Sequence, residues 1–165
     1  MALPNKVLPG FVASLYMQPG ASPTAVTQAN LSVLATIAAI AVSANELEVQ
    51  AIPLFGQEDA VASFMAAGRR QSDKIPVQSA PASMTLTAAW NPANANILLI
   101  RGDAASGLID RTFVIAASAS AADILYFAFN GRVSQFTVDP APGAEAQCTF
   151  TIHPRGNQYG WSNTA

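Results

Sequence analysis

Residues 123–138 read DILYFAFNGRVSQFTV, the most strongly β-forming stretch of the chain. Aromatic and β-branched residues crowd it, as they do on a pleated surface packed on at least one side. Asn130-Gly131 in its middle admits two readings. As the tip of a two-residue type I′ turn it would fold the stretch into a hairpin, with Leu125 opposite Phe136. Inside a single strand, Gly131 would mark a bulge or a close backbone approach that lets the strand bend. The sequence DPAPG at 139–143 is a reversal in either case, and the chain then returns as a strand over Ala146–His153 before a polar tail.

Working outward, strands predominate. Phe11–Met17 places Phe11, Ala13, Leu15 and Met17 on one face and Val12, Ser14 and Tyr16 on the other. Pro19, Gly20 and Pro23 make 18–27 a loop. Leu31–Val42 has alanines that would tolerate a helix, but Val33, Ile37, Ile40 and Val42 favour a strand, which is the expectation here. Glu46–Leu54 alternates as a strand up to Pro53, and Met84, Leu86 and Ala88 alternate with Thr85, Thr87 and Ala89. Asp110–Ala117 is a further strand, followed by an Ala/Ser turn to Ala122.

One short helix interrupts them. Asn91 suits an N-cap and Pro92 the first helical position, so Ala93–Arg101 is expected to be helical and to stop at Gly102. Gly56–Lys74 carries Glu58, Asp59, Arg69, Arg70, Asp73 and Lys74, six of the eighteen charged residues, together with Phe64 and Met65. It reads as a long loop, with a short helix over Ala60–Ala67 as the alternative. Residues 1–10 read as an N-terminal arm, 11–156 as a single β domain and 157–165 as a C-terminal tail.

The composition bears on function. The 165 residues and 17.1 kDa suit one domain, and 51% hydrophobic residues suffice for a core. Charged residues make up only 11%, against roughly 25% in an ordinary soluble domain. Alanine occurs 33 times. A surface so poor in charge is hard to keep dispersed unless copies of the chain cover one another, which points to assembly. A net charge of −2 and a pI near 5.1 exclude electrostatic gripping of nucleic acid. Pro4 and Pro9 break any leader-like apolar run, and Leu31–Val42 is too short to span a bilayer, so a cytoplasmic chain without membrane insertion is expected.

Chemistry finds little support. His153 is the single histidine and has no carboxylate neighbour in sequence. Cys148, the single cysteine, alternates with Phe150 and Ile152 as a small core residue. Glu46/Glu48 and Asp103/Asp110 are the carboxylate pairs; the first reads as a solvated edge and the second flanks a loop. No zinc, calcium or phosphate-binding motif occurs, so neither enzyme nor cofactor is expected.

The order TLTAAWNP (85–92), ILLI (97–100), FNGRVS (129–134) and a closing Thr149–Ile152 strand reaching HPRG resembles the tail tube proteins of lambda-type long-tailed phages. The likeness spans roughly residues 82–156 and concerns the tube-forming domain only; the C-terminal immunoglobulin-like domain of the lambda protein has no counterpart. It implies a mainly β, sandwich- or barrel-like fold with one flanking helix. Hexameric rings would join their inner sheets into a β-barrel and stack into a conduit for genome ejection from the virion, with tape measure, tail terminator and tail-tip proteins as partners. DNA would pass along a mildly acidic wall without specific binding. A contractile-tail or secretion-type tube is the alternative. Phe64, Met65, Arg69 and Arg70 become candidates for contacts between subunits or rings. Because DPAPG already reverses the chain and a tube needs long strands, the reading that keeps 123–138 as one strand is favoured, with Gly131 as its bulge candidate.

Overall fold

The computed structural model describes residues 12–53, 55, 57–64, 73–118, 124–140 and 145–163, giving backbone pairing alone for 57–64, 73–81 and 156–163. In chain order the elements are β1 (Val12–Met17), α1 (Leu34–Ile40), β2 (Glu46–Leu47), β3 (Gln57–Phe64), β4 (Asp73–Pro81), β5 (Met84–Ala89), α2 (Ala95–Ser106), β6 (Arg111–Ser118), β7 (Ile124–Asp139) and β8 (Gln147–Asn163). Six strands form one antiparallel sheet in the order β2-β1-β6-β7-β8-β5, curled into a half-barrel. Its two edges meet through the short segment 46–50. Leu47 pairs with Leu15 of β1, and two residues later Val49 bridges to Ala88 of β5, with Gln50 N–H donating to Thr87 O at 2.9 Å. The segment thus occupies hydrogen-bonding groups on both edges, which would otherwise invite another strand.

The curl encloses the main core. Leu15, Met17, Leu47, Met84, Leu86, Phe113, Ile115, Phe129, Val133, Phe150 and Ile152 point inward, and Ile97 and Ile100 of α2 join them. Phe113 and Phe129 stack with ring centroids 5.7 Å apart. Cys148 lies wholly buried in this cluster, as its alternation with Phe150 and Ile152 suggests, and desolvation pushes its thiol pKa up. A second cluster lies on the outside of the sheet, where Val114, Ala116, Tyr126 and Ala128 meet Leu31, Ile37 and Ile40.

Several expectations change. The Leu31–Val42 stretch is not a strand: after a 3₁₀ turn at Gln28–Asn30 it forms α1, so the described residues hold two α-helices rather than one. Ile37 and Ile40 lie three apart on the buried side, and the apolar outer face of β6 and β7 rewards that spacing over intrinsic strand preference. Only Glu46–Leu47 of the Glu46–Leu54 stretch is strand, with Val49 as an isolated bridge. Within the expected Gly56–Lys74 loop the described residues are strand: β3 and β4 pair antiparallel as a separate two-stranded sheet with Phe64 in register with Asp73, and 56 and 65–72 lie outside the described residues. The alternative of a helix over Ala60–Ala67 is likewise overturned for 60–64, which are strand, while 65–67 lie outside the described residues.

The helix start moves from Asn91-Pro92 to Asn94, whose Oδ1 accepts from Asn96 N–H at 2.9 Å and Ile97 N–H at 3.4 Å. Asn91 instead closes a lead-in turn, its Oδ1 accepting from Ala93 N–H at 2.9 Å. Gly102 lies inside α2, and the left-handed stop is Gly107 at φ +62°. The extra turn delivers Asp103 to Arg111. That pair is fully buried, with Arg111 Nε 2.6 Å and Nη2 3.0 Å from the carboxylate oxygens. Arg111 Nη1 also donates to the carbonyls of Gln18 and Gly20 at 2.5 and 2.9 Å, so one side chain ties α2, β6 and the loop after β1 together.

Residues 124–139 form one strand, as favoured. Leu125 pairs with Ala117 and Asn163, not with Phe136. Gly131 keeps register with Arg111 and Pro154, but β7 and β8 slip on either side of it, between Ala128 and Asn130 and again where Gln135 and Phe136 oppose Phe150 alone, with Gln135 at φ +56°. Gly131 is a close-approach position instead: a Cβ there would stand 2.9 Å from Ile152 Cγ2 and 3.2 Å from His153 O. Asn130 is no turn residue either; its side chain donates to Val26 O at 2.6 Å and accepts from Thr112 Oγ1 at 2.7 Å, fastening the 18–27 loop to the sheet. β8 runs past the expected polar tail to Asn163. Beyond Ile152 its backbone pairs, among the described strands, with β7 alone, an edge position in which Pro154 is tolerated.

Candidate functional site

The half-barrel has two unlike outer faces. Over β1, β6 and the first half of β7, α1 and Leu31 cover an apolar surface. Over β5, β8 and the second half of β7 no helix of the described chain packs, and the outward residues form rows across the three strands. Thr87, Thr149 and Thr137 make one row; Thr85, Thr151 and Ser134 make the next. These hydroxyls satisfy one another: Thr85 and Thr151 Oγ1 lie 3.0 Å apart, Thr87 and Thr149 Oγ1 3.4 Å. The triplets TLT (85–87) and TFT (149–151) build the rows, because the middle residue of each turns into the core. His153 extends the pattern, with Ser83 Oγ 2.8 Å from Nδ1 and Ser134 Oγ 2.7 Å from Nε2.

Among the described residues, charge flanks the hydroxyl rows on either side. On one side Asp110 receives two guanidinium groups: Arg132 Nε at 2.8 Å and Nη2 at 3.2 Å, and Arg155 Nη1 at 2.9 and 2.8 Å. The hydrogen bond from Arg132 is the chief cause that holds the Asp110 carboxyl below its ordinary pKa; desolvation opposes it, and Arg155 adds to the lowering. A shallow cleft of about 260 Å³ adjoins the cluster, lined by Ala25, Gln28, Asp110, Asn130 and Arg155. On the other side, beside the DPAPG reversal, Asp139 pairs in register with Gln147, and Asp139 and Glu145 are exposed.

The residues singled out for chemistry do not come together. Asp103 and Asp110 are committed to different arginines, and His153 has serine neighbours without a carboxylate. Among the described residues no three His, Cys, Asp or Glu side chains converge on a common point. No helix among them is long and apolar enough to cross a membrane. Of the contact candidates, Phe64 ends β3, while Met65, Arg69 and Arg70 lie outside the described residues, as does the 1–10 arm. Sequence reasoning passed over Asp110, Arg132 and Arg155 as a group; they stand 22 and 23 residues apart, and only the β6–β7–β8 register assembles them.

No family model and no curated protein sequence matches the chain. Solved structures do match. A chain of the sheath/tube terminator structure of an extracellular contractile injection system (PVC), in the extended state, superposes with a TM-score of 0.63 at 9% identity, covering 96% of this chain and 99% of that one. A chain of the anti-feeding prophage baseplate gives 0.57 at 9% identity over 98% and 97%. The SPP1 tail tube gives 0.56 at 11% identity over 90% and 76%. The fold is therefore tail-tube-like, as the resemblance in sequence implied.

Proposed function

We propose that this chain is a structural subunit of a tail or injection tube, copies of which form rings that stack into a hollow conduit. The observation that carries the reading is the nearly end-to-end superposition on chains from tail-tube and injection-system structures. The charge-poor composition supports it, since assembly hides surface that a free monomer would expose. In a long-tailed phage the rings would be hexameric, their sheets would join into a ring-wide β-barrel, and the genome would leave the virion through it. Tape measure, terminator and tail-tip proteins would be its partners, and assembly would take place in the host cytoplasm. The contractile alternative, with a sheath outside the tube, draws on the two injection-system structures. The β3–β4 hairpin, with Phe64, Met65, Arg69 and Arg70 at and beyond its end, is the segment we assign to contacts between subunits. The uncharged hydroxyl rows offer a passing polyanion no cationic partner.

Negative-stain microscopy of the purified chain across a concentration series tests the reading. Rings or long smooth tubes are expected. A monodisperse monomer at every concentration would sink it.

A further inference from the structure

We propose that Asn130-Gly131 is a deamidation site held shut by folding: the unfolded chain loses the Asn130 amide as ammonia, and the product no longer fits the β6–β7–β8 sheet. The inference concerns the single chain and goes beyond the tube reading without resting on it.

Asn130-Gly131 is the one Asn-Gly pair in the 165 residues. In a flexible chain such a pair is the most labile setting for an asparagine, because glycine has no Cβ to shield its own nitrogen or to restrict the backbone. The Gly131 backbone nitrogen gives up its proton to hydroxide and attacks Asn130 Cγ. The new N–C bond closes a five-membered succinimide as the Cγ–Nδ2 bond breaks and ammonia leaves. Water then opens the ring at either carbonyl, giving aspartate or isoaspartate. The net change consumes one water and needs no oxidant or cofactor.

The fold explains both why so labile a pair stands there and what restrains it. Residue 130 must donate to Val26 O at 2.6 Å and accept from Thr112 Oγ1 at 2.7 Å, which an amide does and a carboxylate does not. Residue 131 must lack a side chain, since a Cβ would stand 2.9 Å from Ile152 Cγ2. The same setting blocks the reaction. Asn130 is in register with Thr112 and Arg155, and Gly131 with Arg111 and Pro154, so both are extended and flanked by strands on two sides. Ring closure needs the side chain to fold back over its own peptide, and the bonds to Val26 and Thr112 oppose that. β7 lies inside the sheet, so freeing the pair means opening the sheet rather than fraying an edge.

Neither product suits the site. An aspartate at 130 turns a carboxylate on Val26 O, acceptor against acceptor, and adds a second acid to the cleft that residue 130 shares with Asp110. Arg155, which lines the same cleft, is already bonded to Asp110. Isoaspartate lengthens the main chain by one atom within a strand paired on both sides, so the residues beyond it lose register with β6 and β8 alike.

The test follows the full wild-type chain in mildly alkaline buffer, folded and in urea above its unfolding transition. Mass spectrometry reads deamidation at each asparagine, and chromatography of the peptides separates isoaspartate. The unfolded chain should convert at Asn130 ahead of every other asparagine, and the folded chain at least ~10³-fold more slowly, as the small share of open molecules requires. After urea is removed, chains that keep Asn130 should regain the wild-type melting curve, and isoaspartate chains should stay unfolded. Asn130→Asp, made directly, should melt below wild type, a readout that needs no refolding. A folded chain that converts faster than this would overturn the inference. So would an unfolded chain that keeps its Asn130 amide, or isoaspartate chains and Asn130→Asp that melt like wild type. No outcome depends on whether tubes form, so the functional reading stands or falls separately.

Discussion

β6 and β8 belong to one sheet and both pair with β7, yet they meet their surroundings differently. β6 is buried on both sides from Arg111 to Ala116: Phe113 and Ile115 enter the half-barrel, and Val114 and Ala116 lie beneath α1. Its sequence, RTFVIAAS, is apolar without alternation. β8 turns Cys148, Phe150 and Ile152 inward and Thr149 and Thr151 outward, with no helix above them. The difference shows how coverage is written into a strand. Where both faces have apolar partners the alternation disappears; where one face stays open it is sharp, and the open face is built of residues that can bond one another.

The comparison can be broken most severely at the root of β6. Arg111→Met should cost about 3–5 kcal/mol in chemical denaturation, because it leaves Asp103 charged, buried and unpaired. Adding Asp103→Leu should recover much of that loss. If Arg111→Met alone is tolerated, β6 does not depend on the pair. Next in size is Gly131→Val on the strand that β6 and β8 share. The added side chain meets Ile152 Cγ2 and the His153 carbonyl, and an expected loss of roughly 1–3 kcal/mol should appear as a lower melting temperature.

A matched pair sharpens the contrast directly. Val114→Thr puts a hydroxyl under α1 and should destabilise by about 1–3 kcal/mol. Thr149→Val, on the outer face of β8, should stay within roughly 0.5 kcal/mol. Equal effects in parallel denaturation curves would mean that the two outer faces are not distinct. The smallest effect concerns acid. Asp110 has its pKa held below the ordinary value of about 3.9, so its ion pairs stabilise the fold above that value. The contribution is lost as pH falls through the lowered pKa. Asp110→Asn should therefore lower stability slightly at neutral pH and flatten the acid limb of a stability–pH profile, variant and wild type converging below about pH 4.

Much of this fold could be read from the residues. The alternation in 11–17, 84–89 and 146–153 gave strands with the correct inward faces, and DPAPG gave the reversal before β8. The long β7 needed an argument beyond local chemistry, since Asn130-Gly131 by itself is a hairpin signal. It is overruled because Asn130 holds the 18–27 loop and Gly131 makes room for Ile152, roles that involve residues far away in sequence. The bulge at Gln135 left no trace that a composition rule would notice, since a left-handed conformation is unusual for that residue. α1 was misread for a related reason. Its β-branched residues carry a weak strand preference, which the apolar patch on β6 and β7 outweighs.

By itself, the sequence determined that this is a mainly β, charge-poor chain with a helix after Asn91-Pro92, a buried cysteine and Thr-hydrophobe-Thr strands. These follow from period, propensity and composition, which are local or global sums. Tertiary structure alone decided that 46–50 joins the two sheet edges, that Asp103 reaches Arg111, and that Asp110 gathers Arg132 and Arg155. Such contacts join residues distant in the chain. Their partners are fixed by strand register and helix length, and no local window contains either.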